Sequence, residues 1–93
     1  MTHQLMNKVS TTTRDRAERS RELLPILQLV EDNLVETAYN KPMMSRNIAI
    51  FKDFCTGNYS YNSLGRKYNN LIGTRISQII SQMSIDLRRA KVS

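Results

Sequence analysis

Apolar residues recur at helical spacing along this chain, and nowhere do they alternate as in a half-buried strand. The stretch "PILQLVEDNLVETAY", residues 25–39, is the strongest case. Ile26, Leu27, Val30, Leu34, Val35 and Ala38 share one broad face, with Glu31, Asp32 and Glu36 on the other. Pro42 ends this helix by biasing Lys41 away from helical backbone. Ser45 is placed to cap "RNIAIFKDFCT", whose Ile48, Phe51, Phe54 and Cys55 point inward and which Gly57 closes. Upstream, "STTTRDRAERSREL" offers a loose capping box, Thr12 with Asp15, and the spaced pairs Asp15–Arg19 and Glu18–Arg21. Its apolar face is thin: Ala17, Leu23 and Leu24. Pro25 either kinks this helix or begins the next one.

The C-terminal third carries two further helices. Ser60 or Asn58 caps a short one over Tyr61 to Asn69, "NLIG" makes a turn, and Thr74 caps a long one to about Ala90. Ile76, Ile79, Ile80, Met83 and Leu87 give the long helix its apolar stripe. A short helix, a tight turn and a longer helix define a helix-turn-helix. Gly65 is expected to let the second helix cross the first closely, since a glycine inside a helix otherwise costs about 1 kcal/mol relative to alanine. Leu64 and Tyr68 supply the buried edge of the first helix, and Leu71 or Ile72 plugs the turn. The pattern predicts an all-α fold of four to five helices with a C-terminal helix-turn-helix. The closing "AKVS" leaves no room for a β-wing. Residues 1–12 read as a disordered tail, 13–44 as helices for support or interaction, and 45–93 as the helix-turn-helix unit.

Charge changes this picture from a fold to a class of partner. Of the 93 residues, positions 1–40 hold five basic and six acidic groups, whereas 41–93 hold nine basic and two acidic ones. The net charge of +6 therefore arises in the C-terminal half, which points to a polyanion. The long helix sharpens the point. Off its stripe lie Thr74, Arg75, Ser77, Gln78, Ser81 and Gln82, and no acidic residue occurs between positions 54 and 85. Acidic groups there would repel phosphates, while Gln and Arg suit adenine and guanine edges. A helix selected for solubility alone would show Glu and Lys at these positions.

The segments "SLGRKY", "TRISQI" and "DLRR" resemble region 4 of bacterial sigma-70-type factors and related small phage or bacterial regulators. Leu64, Gly65, Arg66, Lys67 and Tyr68 match the first part, Arg75, Ile76, Gln78 and Ile79 the second, and Leu87 and Arg88 the tail. The likeness covers about residues 46–90. The turn "NNLIG" is one residue longer than the family's, and Ile80 stands where an acidic residue is common. Nothing resembles the promoter-opening region 2, and residues 1–44 lie outside the motif. The resemblance implies double-stranded DNA as partner, with RNA polymerase or a sigma factor as a second candidate, in a bacterial or phage-infected cytoplasm. Residues near the start of a recognition helix reach bases, and those on the preceding helix and at the far end meet phosphates. Thr74, Arg75, Ser77, Gln78, Ser81 and Gln82 are thus assigned to base edges. Ser60, Arg66, Lys67, Arg88 and Arg89 are assigned to phosphates. A homodimer on paired half-sites is a further expectation.

Catalytic chemistry finds little support. His3 is the sole histidine, and Cys55 sits on an apolar helix face with no base partner in sequence, which suits a core thiol. Neither zinc-ligand spacing nor a glycine-rich phosphate loop occurs, so no enzyme, metal or cofactor is expected. No apolar run of membrane-spanning length and no signal peptide is seen. One cysteine excludes an internal disulfide and fits a reducing compartment.

Overall fold

The structure, a computed structural model, describes residues 9–37 and 42–92, with side chains described over 9–32 and 45–90. Five α-helices follow one another: α1 (Thr11–Ser20), α2 (Leu24–Thr37), α3 (Pro42–Cys55), α4 (Tyr61–Lys67) and α5 (Gly73–Val92). A 3₁₀ turn over Arg21–Leu23 joins α1 to α2. No strand occurs among the described residues. The all-α architecture with a C-terminal helix-turn-helix is therefore as the hydrophobic periodicity indicates.

Several boundaries move. Ser10, not Thr12, caps α1, its hydroxyl accepting from the Thr13 amide at 3.2 Å. Val9 is buried at 6% exposure, so residues 9–12 belong to the folded unit and not to a disordered tail. Residues 1–8, including His3, lie outside the described residues, as do the side chains of Leu34, Val35, Glu36, Ala38, Met43 and Met44. Pro25 falls in the first turn of α2, where its missing amide costs no hydrogen bond. Pro42 does the same for α3, which starts three residues before Ser45. Ser45 is consequently a first-turn residue and not the cap, and α3 runs continuously across the 44/45 boundary. Thr74 likewise is the second residue of α5, because the Ile76 amide already bonds the Ile72 carbonyl at 3.2 Å.

One core joins all five helices. Leu23 and Leu27 from the N-terminal part pack with Phe51, Phe54, Leu64, Ile76, Ile80 and Leu87. The α5 stripe is buried as its spacing requires, with Met83 half-buried. α3 buries a wider arc than its sequence stripe suggests, and Ile50 is fully enclosed. The reason is position: α3 touches α1, α4 and α5 at once. Its end is held from outside. Arg21 donates from Nε to the Cys55 carbonyl at 2.6 Å and from Nη2 to the Thr56 carbonyl at 3.1 Å, a cation on the carbonyl end of a helix. Gly57 then leaves at φ +81°. The pairs Asp15–Arg19 and Glu18–Arg21 are not among the ion pairs of the described residues, which are Lys52–Glu31 and Lys67–Asp53. Arg21 has the stronger alternative of two unpaired carbonyls.

The α4–α5 turn is sharp. α4 ends at Lys67, and Asn69 and Asn70 both adopt left-handed backbone, φ 62° and 57°, a region that asparagine tolerates better than most residues. The Leu71 amide then bonds back to the Gly65 carbonyl at 2.9 Å. Leu71 packs against the core, whereas Ile72 is 70% exposed. Gly65 is needed here for a different reason than helix crossing. A Cβ on it would overlap the Leu71 carbonyl of the turn itself, while the nearest α5 atom, Ile76 Cγ1, would lie at an ordinary 3.7 Å. Even alanine is therefore too large, and Gly65→Ala should lower stability by about 1–3 kcal/mol as an overpacking change. Equilibrium urea unfolding measures it, and an unchanged midpoint would show that the turn does not pass so close.

Candidate nucleic-acid interface

The face of α5 opposite its core stripe is the candidate surface. Thr74, Arg75, Gln78 and Gln82 are exposed along it. Arg75 and Gln78 line a shallow depression with Gln82 and with Asn47 of α3. Asp86 closes that depression and accepts a hydrogen bond from Gln82 Nε2 at 3.0 Å. One amide hydrogen of Gln82 is thus engaged within the helix. Among the described residues Arg75 has no ion-pair or hydrogen-bond partner.

Ser77 and Ser81 differ from their neighbours. Both are half-buried and turned towards α1, where Arg16 meets them. Arg16 Nη1 donates to Tyr61 Oη at 2.7 Å and to Ser77 Oγ at 3.4 Å, and Nη2 donates to Ser81 Oγ at 2.7 Å. The same guanidinium lies 5.8 Å from the Phe54 ring centre and 5.9 Å from that of Tyr61. Those two rings stack at 5.7 Å. Because the Arg16 nitrogens only donate, each serine oxygen accepts, and its own O–H remains available to donate outward. Sequence reasoning placed these serines with the base-reading set; the structure sets them apart from Thr74, Arg75, Gln78 and Gln82 by tethering them to Arg16. Arg16 is not legible as a site residue in the sequence, where it belongs to a charged, solvated helix.

The phosphate assignments also divide. Ser60 caps α4, its Oγ accepting from the Ser63 amide at 3.1 Å while Ser63 Oγ accepts from the Ser60 amide at 2.9 Å. Its hydroxyl is occupied by the helix, and of the two caps the sequence offers, Ser60 and Asn58, Ser60 is the one used. Arg66 is exposed with no partner among the described residues. Arg88 and Arg89 are exposed near the end of α5, and Arg88 lines an open groove between α5 and α1. That groove also holds Arg16, Arg19, Ser20, Ser81, Ser84 and Ile85, three guanidiniums with Arg88 and no carboxylate.

Lys67 is bound up in a second network. Its Nζ lies 2.9 Å from Asp53 Oδ2 and 3.2 Å from Tyr59 Oη, and Tyr68 Oη donates to the same Asp53 oxygen at 2.5 Å. Partial burial opposes charge on Asp53, but the hydrogen bonds from Lys67 and Tyr68 outweigh it and hold the carboxyl below its ordinary value. Tyr68 is pushed up to about 12 by burial first and then by its bond to Asp53, so it stays protonated and donating. Lys67 is raised by the Asp53 bond and stays charged. The cluster pins α4 to α3 and offsets one cation beside the candidate surface. Cys55, buried in the core, has its thiol pushed up to about 11 by burial, against the opposing charge of Arg21, which leaves it protonated and unreactive.

A carboxyl with a lowered folded pKa stabilises above its unfolded value and loses that contribution as pH falls through the folded one. Asp53→Asn should therefore be less stable than the parent by about 1 kcal/mol at pH 7. The gap should begin to close below the ordinary carboxyl value of 3.8 and vanish below the lowered one. Urea midpoints between pH 7 and pH 2.5 read it; a gap that does not change with pH would remove Asp53 from this role.

Searches of family models, characterised proteins and solved structures found no match to this chain.

Proposed function

We propose that the protein is a sequence-specific DNA-binding transcription regulator whose α5 enters the major groove. The observation that supports this most is the exposed α5 face of Thr74, Arg75, Gln78 and Gln82, uncharged or cationic and backed by a buried stripe. A major groove about 12 Å wide admits one helix, and bidentate contacts from Arg to guanine and from Gln to adenine read its edges. Arg75 and Gln78 are the principal readers. Thr74 and Gln82 support them, and Ser77 and Ser81 offer hydroxyl donors from the side of the helix. Arg66 on α4, with Arg88 and Arg89 at the end of α5, meets phosphates. Lys67 contributes less because Asp53 already offsets it. The net charge of +6 favours approach to DNA. Among the described residues no helix is long and apolar enough to cross a membrane, and the cytoplasm is the compartment in which this activity operates.

The test begins with selection of a preferred duplex from a random pool, followed by binding titrations at several salt concentrations. Gln78→Ala should lose about 1–3 kcal/mol on the preferred site and little on random duplex. Arg66→Ala should weaken both alike and reduce the salt slope by about one, with Lys67→Ala falling short of that. If Gln78→Ala keeps its site preference while capture of RNA polymerase falls, α5 faces a protein and the polymerase-binding reading replaces this one.

A further inference from the structure

α1 and α5 run side by side in the same direction. Ser10 and Thr13 share a cleft with Gly73, Thr74 and Ser77 and with Ser60, Tyr61 and Asn62 at the start of α4, while Arg19 and Ser20 share a groove with Ser84 and Arg88. Arg16 lines the second of these and bridges towards the first, bonding Ser81 of one and Ser77 of the other. Together the two depressions form an interrupted trough along α5, about 22 Å from Gly73 to Arg88 at the helical rise, with Arg16 bridging its middle. No carboxylate lines either part. Asp15 and Glu18 of α1 and Glu22 of the following turn are exposed and line neither part. Arg19 and Arg88 stand on opposite rims, exposed and without a partner among the described residues.

This geometry bears on what α1 does when α5 is in DNA. The major groove takes a single helix, so α1 cannot follow α5 into it. A helix held beside α5 must stand on the far side of a backbone strand, and the strand then lies in the trough between them. We propose that this trough seats the sugar–phosphate backbone of one DNA strand, with Arg19 of α1 and Arg88 of α5 closing on its phosphates from either side. α1 is then a DNA-clamping helix and more than a support for the core. This inference rests on the reading of α5 as the groove-entering helix, and it adds Arg19 to the contacts.

Arg14 provides the matched control. It is exposed on α1, lies outside the groove, and is five positions from Arg19, about 140° around the helix. The full chain and its variants Arg19→Gln, Arg88→Gln, the double variant and Arg14→Gln are titrated with a 20-base-pair duplex at several salt concentrations. The salt slope should fall by about 0.9 for Arg19→Gln, by about twice that for the double variant, and remain at the parent value for Arg14→Gln. Preference between the selected site and random duplex should be unchanged in Arg19→Gln. Equal slopes for Arg19→Gln and Arg14→Gln, with a parent that binds duplex, would overturn the clamp and leave the α5 reading standing. A shift of site preference in Arg19→Gln would overturn it as well, since a backbone contact carries no sequence. A parent that binds no duplex at all overturns both.

Discussion

Arg16 is the group on which the arrangement of the surface depends. It is a half-buried cation with no carboxylate beside it among the described residues. It is held instead by three hydroxyls, on Tyr61, Ser77 and Ser81, and by the faces of Phe54 and Tyr61. A planar guanidinium suits this site because its fork of donors reaches several acceptors at once while its face lies over rings. Lysine, with a single nitrogen, does not present this planar fork of donors. Through this one side chain α1 is fastened to both halves of the helix-turn-helix. The two serines are turned aside from the outward face of α5, and the floor of the groove beside it is cationic.

The other constraints build the platform that Arg16 braces. Arg21 closes the end of α3, five residues along from Arg16, so neighbouring arginines of one short segment grip α3, α4 and α5 in turn. Asp53 fixes α4 to α3 through Lys67 and Tyr68. Gly65 and the two left-handed asparagines let the chain double back within five residues, so that α5 leaves the core at a fixed angle. Each interaction alone is modest, since hydrogen bonds in proteins contribute about 0.5–1.5 kcal/mol net. Their effect lies in geometry, because any binding surface works only if its side chains are held in a fixed arrangement.

How much of this was legible in the sequence follows from the range of each interaction. The α5 stripe, the inward residues of α3 and the Gly57 exit are local patterns, set by neighbours within about one turn, and are readable; for the α4 cap the sequence offers both Ser60 and Asn58, and only the structure selects Ser60. The buried Ile50 was not, because its burial comes from α3 being surrounded, which its own periodicity does not encode. Gly65 stands out in the sequence as a helix-crossing glycine, whereas its close neighbour is the Leu71 carbonyl six residues on. Arg16 lay beyond reach: its partners are 45, 61 and 65 positions away. In sequence it sits among alternating charges that suit a solvated helix equally well. Ile85, 46% exposed in the groove beside Arg88, was likewise hidden, since an apolar residue off the stripe has no local explanation.

The most direct measurement of the central claim is amide chemical-shift mapping of the ¹⁵N-labelled full chain titrated with its selected duplex. The expected result is a continuous set of shifted resonances along the outward side of α5, from Thr74 through Gln78 and Gln82 to Arg88. A second set should appear on the Arg19 side of α1, with little change on α2 around Leu29, which is 64% exposed there. Shifts centred on α2, or none on α5 at saturating duplex, would contradict a groove-reading role for this helix.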